Sequence, residues 1–586
     1  MIKLFKNFNK RDIIIIISVI GLVIFSVFLD LRMPEYMSEI TKLVQTEDST
    51  MKQILTSGMH MLICAVSSLI CTIAVGYLTS LLSASFSKTI RKKIFAKVEE
   101  FGIAEIKKFQ TSSLITRTTN DVTQIEMLLS MGLQMMIKSP VMAIWALMKI
   151  LGKSGELSLI TATGVIIIVV TNIFIIKTVT PRFEKMQKLT DKMNAVTREN
   201  LTGIRVIRAF NAENFQTNRF ENVNNDLTNT QLANQKTFAI MSPIMNFVMH
   251  FQHLGIYFVG AYIIIRSGMI EKINMFSNMV VFSSYGMQVI ISFLMLTMIF
   301  MILPRANVSA RRINEVLEEE ITVKSGNFDG NTKEKGTVEF KNVSFKYPDA
   351  DEYLLKNISF KVNKGETIAF IGSTGSGKST LINLVPRLYD VTDGEILVDG
   401  INVKEYKLES LNNKIGYIPQ KAVMFTGTVK ENISYGDNGK EKPNLDKIKE
   451  AIKVAQATDF VEKMDKKYES HIARGGTNVS GGQKQRLSIA RAIARNPEIY
   501  IFDDSFSALD YKTDSTLRKE LKKYTKDATS MIVAQRIGTI LNADKIVVLD
   551  KGECVGIGTH KELLKKCKVY KEIALSQLSK EELENA

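Results

Sequence analysis

Two stretches of this chain carry residues spaced for chemistry on phosphate. IGSTGSGKST, Ile371 to Thr380, follows the apolar run TIAF and precedes the helical LINLV. Gly372, Gly375 and Gly377, with Ser373, Thr374 and Ser376 between them, let backbone N–H groups close on phosphate oxygens, and the helix start adds partial positive charge. Lys378 reaches the outer phosphates, Ser379 offers a hydroxyl to Mg²⁺, and Thr380 closes the stretch. A lone glycine-rich loop is weak, but the full G-x-x-x-x-G-K-S pattern between strand and helix is specific for nucleotide. The second stretch is IFDDSFSALD, Ile501 to Asp510, an apolar strand ending in two adjacent aspartates. Asp503 at the strand end can hold Mg²⁺ through water, which leaves Asp504 on the side of the attacking water.

Between them lies VSGGQKQRLSIARA, Val479 to Ala492, where Ser480, Gly481 and Gly482 form a second phosphate-facing nest at the start of a helix. One chain cannot turn both glycine loops on the same nucleotide. Two chains facing each other are implied.

These loops need a sheet and helices to aim them, and the rest of the chain shows where those lie. At 586 residues the chain exceeds one ordinary domain. From Ile13 to about Met301 it repeats apolar stretches that match the ~20 helical residues needed to cross a bilayer. Six spans are read: Ile13 to Leu29, Ile54 to Leu82, Leu133 to Leu151, Leu157 to Ile176, Met241 to Ile265 and Met275 to Leu303. The long connections between spans two and three and between spans four and five read as helix with breaks, so the spanning helices are expected to run on into the cytoplasm. The outer connections, at Gly152 to Glu156 and Arg266 to Lys272, are short. Lys3, Lys6, Lys10 and Arg11 precede span one, and Arg91, Lys92, Lys93 and Lys97 follow span two, whereas the first outer loop, with Glu35, Glu39, Glu47 and Asp48, is slightly acidic. The N-terminus and the soluble half are therefore placed in the cytoplasm. Three regions result: a six-span membrane domain over 1–320, a linker over 321–336 and a nucleotide-binding domain over 337–580.

Several alternatives are excluded on composition. LRMPEYM after span one offers no small-residue cleavage site, so span one is not read as a signal peptide. Cys64 and Cys71 lie in span two and Cys554 and Cys567 in the soluble half, where no disulfide framework is expected. The net charge of +16 comes without a basic stripe interleaved with aromatics, so nucleic acid is not a partner and the inner loops account for the charge.

The order of motifs resembles the ATP-binding cassette (ABC) exporter superfamily across essentially the whole chain. FKYP at Phe345, GSTGSGKS, IPQ at Ile418 to Gln420, VSGGQ, FDD and SALD at Ser507 to Asp510 occur in that family's order. The resemblance implies a type IV ABC exporter half-transporter, an all-α six-helix membrane domain fused to an α/β P-loop nucleotide-binding domain. It implies ATP and Mg²⁺ as cofactors, held through Ser379, Gln420 and Asp503, with Tyr347 stacking on adenine. Val479, Ser480, Gly481, Gly482 and Gln483 would face a partner's ATP, and the loop Ser507, Ala508, Leu509 and Asp510 would signal across the dimer. SSLITRTTNDV, Ser112 to Val122, and ENLTGIRVIRAFNAE, Glu199 to Glu213, resemble the family's two intracellular coupling segments.

The departures from the family are as informative. Where its active form has a glutamate after the metal aspartate and a histidine in the later switch, this chain has Asp504 and Gln535. Aspartate is one methylene shorter, and a misplacement of roughly 1 Å can cost on the order of 100-fold. Glutamine cannot exchange a proton as imidazole does. The signature loop differs from the family's LSGGQ only at Val479, and Arg474 stands about where many exporters place an acidic cross-linking residue. A chain that spoils its own hydrolytic pair but keeps its donated loop is similar to one subunit of the bacterial heterodimeric multidrug exporters. That resemblance implies a second, related half-transporter as partner, a location in the cell membrane of a bacterium, and efflux of small amphipathic compounds.

Met275, Met279, Met287, Met295, Met298 and Met301 with Phe293, Phe300 and Tyr285 give span six soft, adaptable side chains that suit a polyspecific cavity, or else pack helix on helix or face lipid. Gln252, His250 and His253 in span five and Lys138 in span three are costly in lipid and are expected to face a cavity or a neighbouring helix. A lipid or peptide exporter half is the alternative function, the absence of a domain before span one counting against a peptide exporter with a built-in protease. A regulatory or channel-like subunit is a second alternative, against which the short stretch between the halves speaks.

Overall fold

The computed structural model describes residues 1–46, 49–151, 155–266, 268–436, 439 and 441–578. Glu47 and Asp48, residues 152–154, residue 267 and the last two positions of the 337–580 range lie outside the described residues, as does the Met301 side chain. Tertiary contacts divide the chain into two units: Met1–Glu99 with Thr111–Glu319, and Glu100–Gln110 with Glu320–Ala586.

The first unit is helical. Among the described residues, six helical stretches are long and apolar enough to cross a membrane: Lys10–Gln45, Met51–Glu99, Thr111–Leu151, Gly155–Thr202, Glu213–Arg266 and Glu271–Leu317. The first starts on a capping box in which the Asn9 N–H donates to the Asp12 carboxylate at 2.9 Å. At 1.5 Å per residue the 49-residue helix Met51–Glu99 is about 70 Å long, over twice the ~30 Å hydrocarbon layer, so these helices do run on beyond their apolar segments. The helices meet over buried Val27, Leu31, Met142, Ala146, Phe282 and Tyr285. Two charge pairs lie between these helices, where an isolated charge would be costly in a medium without water. Lys138 lies 3.0 Å from Asp30 and Lys149 2.7 Å from Glu35, and Tyr285 donates to the Leu31 carbonyl at 2.9 Å.

The polar and soft residues of the later spans divide. Gln252 is buried and donates to the Thr161 hydroxyl at 3.4 Å; Gly286 makes its room, since a Cβ there would stand 1.6 Å from the Gln252 amide. His253 is half-buried and His250 is exposed on this chain. Met279 and Tyr285 are buried between helices, but Met287, Met298 and Phe300 are exposed, so the methionine stripe is not one surface.

The second unit has two sheets. A four-stranded antiparallel sheet runs in the order Leu355–Val362, Val338–Phe345, Asp393–Val398, Ile401–Asn402. A six-stranded sheet runs Glu553–Gly558, Lys545–Asp550, Thr367–Gly372, Thr529–Val533, Ile499–Asp503, Ile415–Ile418; the last five are parallel and the first is an antiparallel edge. Parallel strands are covered on both faces, which explains why IAFI and IYIF are apolar without alternation. Residues 321–336 are not a free tether, since Phe328 N–H donates to the Glu405 carbonyl at 2.8 Å and its ring packs edge-on to Tyr406.

The helix Ile103–Phe109, from the connection after the second spanning helix, belongs to this unit. Ile103 and Ala104 pack on its core, and the buried Glu105 carboxylate accepts from the Thr322 N–H at 3.0 Å. Burial pushes the Glu105 carboxyl up, but the Thr322 hydroxyl and N–H outweigh it and hold it below the ordinary value. The following segment, read from sequence as a coupling segment, has a different partner. Arg117 donates to the Arg312 carbonyl and pairs with Glu315 at 2.9 Å, and Asp121 accepts from Ser309 at 2.9 Å, all within the helical unit. In the second such segment the helix Ile204–Ala209 leaves Ile204 and Val206 exposed, as are the adjacent Leu201 and Phe210.

Candidate nucleotide site

Parallel register gathers the chemistry at one edge. Phe370 pairs with Val533, Val533 with Asp503, and Phe502 with Ile418, so the chain leaves four neighbouring strands side by side at their carboxyl ends. That is where ligands bind in open α/β sheets. Gly372, Asp503, Asp504, Gln420 and Gln535 all follow from those four ends.

The glycines of IGSTGSGKST have distinct reasons. A Cβ on Gly372 would come 2.0 Å from the Leu549 carbonyl oxygen, and Gly377, at φ +93°, would drive one to 2.5 Å from Leu355. Gly375 meets nothing but sits at φ +84°, in the left-handed region that glycine enters without strain. Ser373 and Thr374 are exposed on the loop and Ser376 is buried beneath it. The helix Lys378–Asn383 starts at once, and the Lys378 ammonium bridges back to the Gly372 and Ser373 carbonyls at 2.9 and 2.7 Å. Burial lowers the Lys378 pKa, opposed by the charges of Asp504 and Asp503.

The two aspartates part ways at the strand end. Asp503, in extended backbone, accepts from the Ser379 hydroxyl at 2.6 Å. Burial and the neighbouring Asp504 charge raise its pKa, against the hydrogen bonds from Ser379 and Tyr417 and the charge of Lys378. Ser379 and Asp503 thus bring together a hydroxyl and a carboxylate, the hard oxygen ligands Mg²⁺ takes. Asp504 turns to φ +47°, a conformation that aspartate tolerates better than most residues. Its Oδ2 accepts from the Gln535 amide at 2.6 Å and from the Gln420 amide at 3.2 Å. Neither donor can take up a proton.

The signature loop is built as a helix start. Ser480 caps Gly481–Arg495 by accepting from the Gln483 N–H at 3.3 Å, while the Gln483 side chain accepts from the Ser480 N–H at 2.9 Å. Val479 is buried beneath it, Gly481 is open, and a Cβ on Gly482 would meet the Ala508 carbonyl at 3.3 Å. Ser507 donates to the Asp504 carbonyl at 2.9 Å, Leu509 is buried, Ala508 is exposed, and Asp510 caps Tyr511–Tyr524 through the Thr513 N–H at 2.9 Å. The loop's two faces therefore link this chain's Asp504 to its own signature helix. Arg474 is exposed.

Tyr347 donates or accepts at 2.9 Å with the Thr380 hydroxyl of the P-loop helix. Its ring lies under the Lys107 ammonium, 4.8 Å from the centroid. Sequence reasoning passed over Lys107, because nothing in KKFQ announces that its helix docks beside the nucleotide loop.

A membrane-spanning helical unit joined to a cassette of this geometry defines an ABC transporter, and comparison with known proteins agrees. Residues 14–293 match the ABC transporter transmembrane region and residues 355–507 the ABC transporter domain. The chain is 38% identical over 513 residues to an uncharacterized ABC transporter ATP-binding protein of Mycobacterium tuberculosis, covering 87% of this chain and 86% of the relative. It is 32% identical over 508 residues to an ATP-dependent lipid A-core flippase of Haemophilus influenzae, covering 86% and 84%. A bacterial Atm1-family ABC exporter with ATP bound has the same fold, with a TM-score of 0.80 over 96% of this chain and 99% of that one at 23% identity. The chain belongs to the ABC exporter family, as a half-transporter with one membrane domain and one ATP-binding cassette.

Proposed function

We propose that this chain is the degenerate-site half of a heterodimeric exporter that moves hydrophobic or amphipathic compounds out across a bacterial cell membrane. The six long apolar helices support a multi-pass protein, and the basic flanks of the first two support an N-terminus and cassette on the cytoplasmic side. Residues 372–380 hold the ATP phosphates, Tyr347 takes the adenine, and Ser379, Asp503 and the amide oxygen of Gln420 are the oxygen ligands for Mg²⁺. Bound there, Mg²⁺ neutralises phosphate charge. Val479 to Gln483 complete the ATP site of the partner, a related half-transporter, and Ser507 to Asp510 carry the state of one site to the other.

The observation that carries this reading is the Asp504 corner. One of its two carboxylate oxygens is shared by the amides of Gln420 and Gln535; the residue in the water-activating position is short and its switch partner is proton-inert. Such a site retains ATP; turnover belongs to the partner's. The flippase among the relatives is consistent with an amphipathic cargo.

The experiment is purification from native membranes, followed by ATPase measurement of the complex. A second, related chain in equal amount is expected, with turnover abolished by loss of the partner's catalytic glutamate. A homodimer that hydrolyses ATP at the rate of a symmetric exporter overturns the reading.

A further inference from the structure

The helix Ile103–Phe109 is held on the cassette unit by more than a surface touch. Ile103 and Ala104 pack partly buried against the core, Glu105 is tied to Thr322, and Phe101 stacks on Phe109 with centroids 5.7 Å apart. This rigid seat fixes where Lys107 can reach. Its ammonium stands 4.8 Å from the Tyr347 centroid and 5.7 Å from that of Tyr389, both inside the ~6 Å range of a cation–π contact. The two rings meet edge to face at 5.3 Å, and Phe345 stands edge to face with Tyr347 at 5.1 Å. The Tyr347 hydroxyl reaches Thr380, next in sequence to the Ser379 that binds Asp503. A continuous line of contacts runs from the intracellular helix through one half-buried tyrosine to the phosphate loop.

A lysine stem that merely covers aromatic surface is the plain alternative. Against it stands the placement of the charge itself over two rings that flank the P-loop helix, on a ring already oriented by a hydroxyl bond and an edge contact. We propose that Lys107 is a positioning residue of the nucleotide site: it holds the Tyr347 ring for the adenine base, so that base binding and the seat of this helix are one equilibrium. The inference rests on the reading of Tyr347 as the base's stacking partner. By reciprocity, whatever displaces Ile103–Phe109 weakens the base by the same factor by which the base stabilises the helix.

The test uses the full chain in lipid nanodiscs with any partner that co-purifies, labelled with 8-azido-ATP and read on this chain alone after separation by mass. ATP and inorganic tripolyphosphate are the competitors. Lys107→Met is expected to weaken competition by ATP about 2- to 5-fold, the range of an exposed to partly buried cation–π contact, and to leave tripolyphosphate unchanged. Lys107→Arg restores ATP competition, and in a Tyr347→Leu background Lys107→Met adds nothing. A loss that falls equally on ATP and tripolyphosphate, or that persists without Tyr347, makes Lys107 merely structural and overturns the inference. If Tyr347→Leu weakens ATP while Lys107→Met does not, the inference falls and the adenine reading stands. If Tyr347→Leu itself leaves ATP unchanged, both fall.

Discussion

The corner at Asp504 and the loop at Ser480 are both made of short polar side chains at the edge of the cassette, yet they are built to opposite ends. Ser480 and Gln483 satisfy each other's backbone and leave Gly481 open, so the helix start presents free N–H groups outward. Asp504 is turned inward at positive φ, and one oxygen of its carboxylate accepts from two amides. One region leaves backbone donors open; the other ties a carboxylate oxygen to two amides of its own chain. Under the proposed function, this contrast is what would let a chain contribute fully to a site it does not house and catalyse weakly at the one it does.

The largest effect that sharpens this contrast is at the offered loop. Gly481→Asp puts a carboxylate at a helix start meant for phosphate, and should lower the ATPase of the complex on the order of 100-fold, as a displaced reacting group does. Ser480→Ala should act in the same direction through loss of the cap. Steady-state ATPase is the measurement, and retained activity would mean that this loop faces no nucleotide.

The next effect separates holding from hydrolysing. Asp503→Asn should release retained ATP with Mg²⁺ from this chain, seen as loss of labelled nucleotide after gel filtration, while stabilising the nucleotide-free protein. The sign follows from burial and the Asp504 charge, which raise the Asp503 pKa against its hydrogen bonds. A carboxyl whose folded value is raised binds its proton more readily in the folded state, so its contribution is best below that raised value and is lost as pH climbs from the ordinary carboxylate range through it. Above that raised value the cost is present, and the asparagine, which carries no charge to desolvate, should raise the unfolding temperature there. An unchanged or lower unfolding temperature would show that the buried carboxylate is stabilised by its partners.

A smaller effect is expected from rebuilding the corner. Asp504→Glu with Gln535→His should raise ATPase about tenfold in a complex whose partner lacks its glutamate, since a positioned base contributes at least ~10² in favourable cases and this one lacks a tested opposite loop. Either change alone should do little, because base and switch act as a unit and their effects do not add. Full activity from Asp504→Glu alone would show that Gln535 is no obstacle.

Much of this was legible from sequence because the chemistry of the loops is local. IGSTGSGKST names its own strand, turn and helix, and the apolar runs IAFI and IYIF announce buried parallel strands. The six spans were legible for the same reason, as length and apolarity alone specify a helix in lipid. What was hidden depends on contacts between residues remote in sequence. That Ile103–Phe109 seats on the cassette, whereas Arg117 and Asp121 pair with Glu315 and Ser309 some two hundred positions away, is decided by packing that no periodicity carries. The same holds for Lys138, whose partner Asp30 could not be read from span three.

The smallest expected effect is the most decisive for the comparison. Asp504→Asn keeps length, shape and an acceptor oxygen, so Gln420 and Gln535 can still donate to it, and only the negative charge is lost. If the carboxylate does no proton transfer, ATPase of the otherwise intact complex should stay within about twofold, a difference of about 0.4 kcal/mol. Lys378 loses one of its two neighbouring acidic charges in this variant, so ATP retention should change slightly in the direction of tighter binding, as phosphate meets less repulsion. The same substitution at the partner's glutamate should abolish turnover. A collapse of activity on Asp504→Asn as deep as that one would make the corner a working base, and the two regions would then differ in geometry alone and not in role.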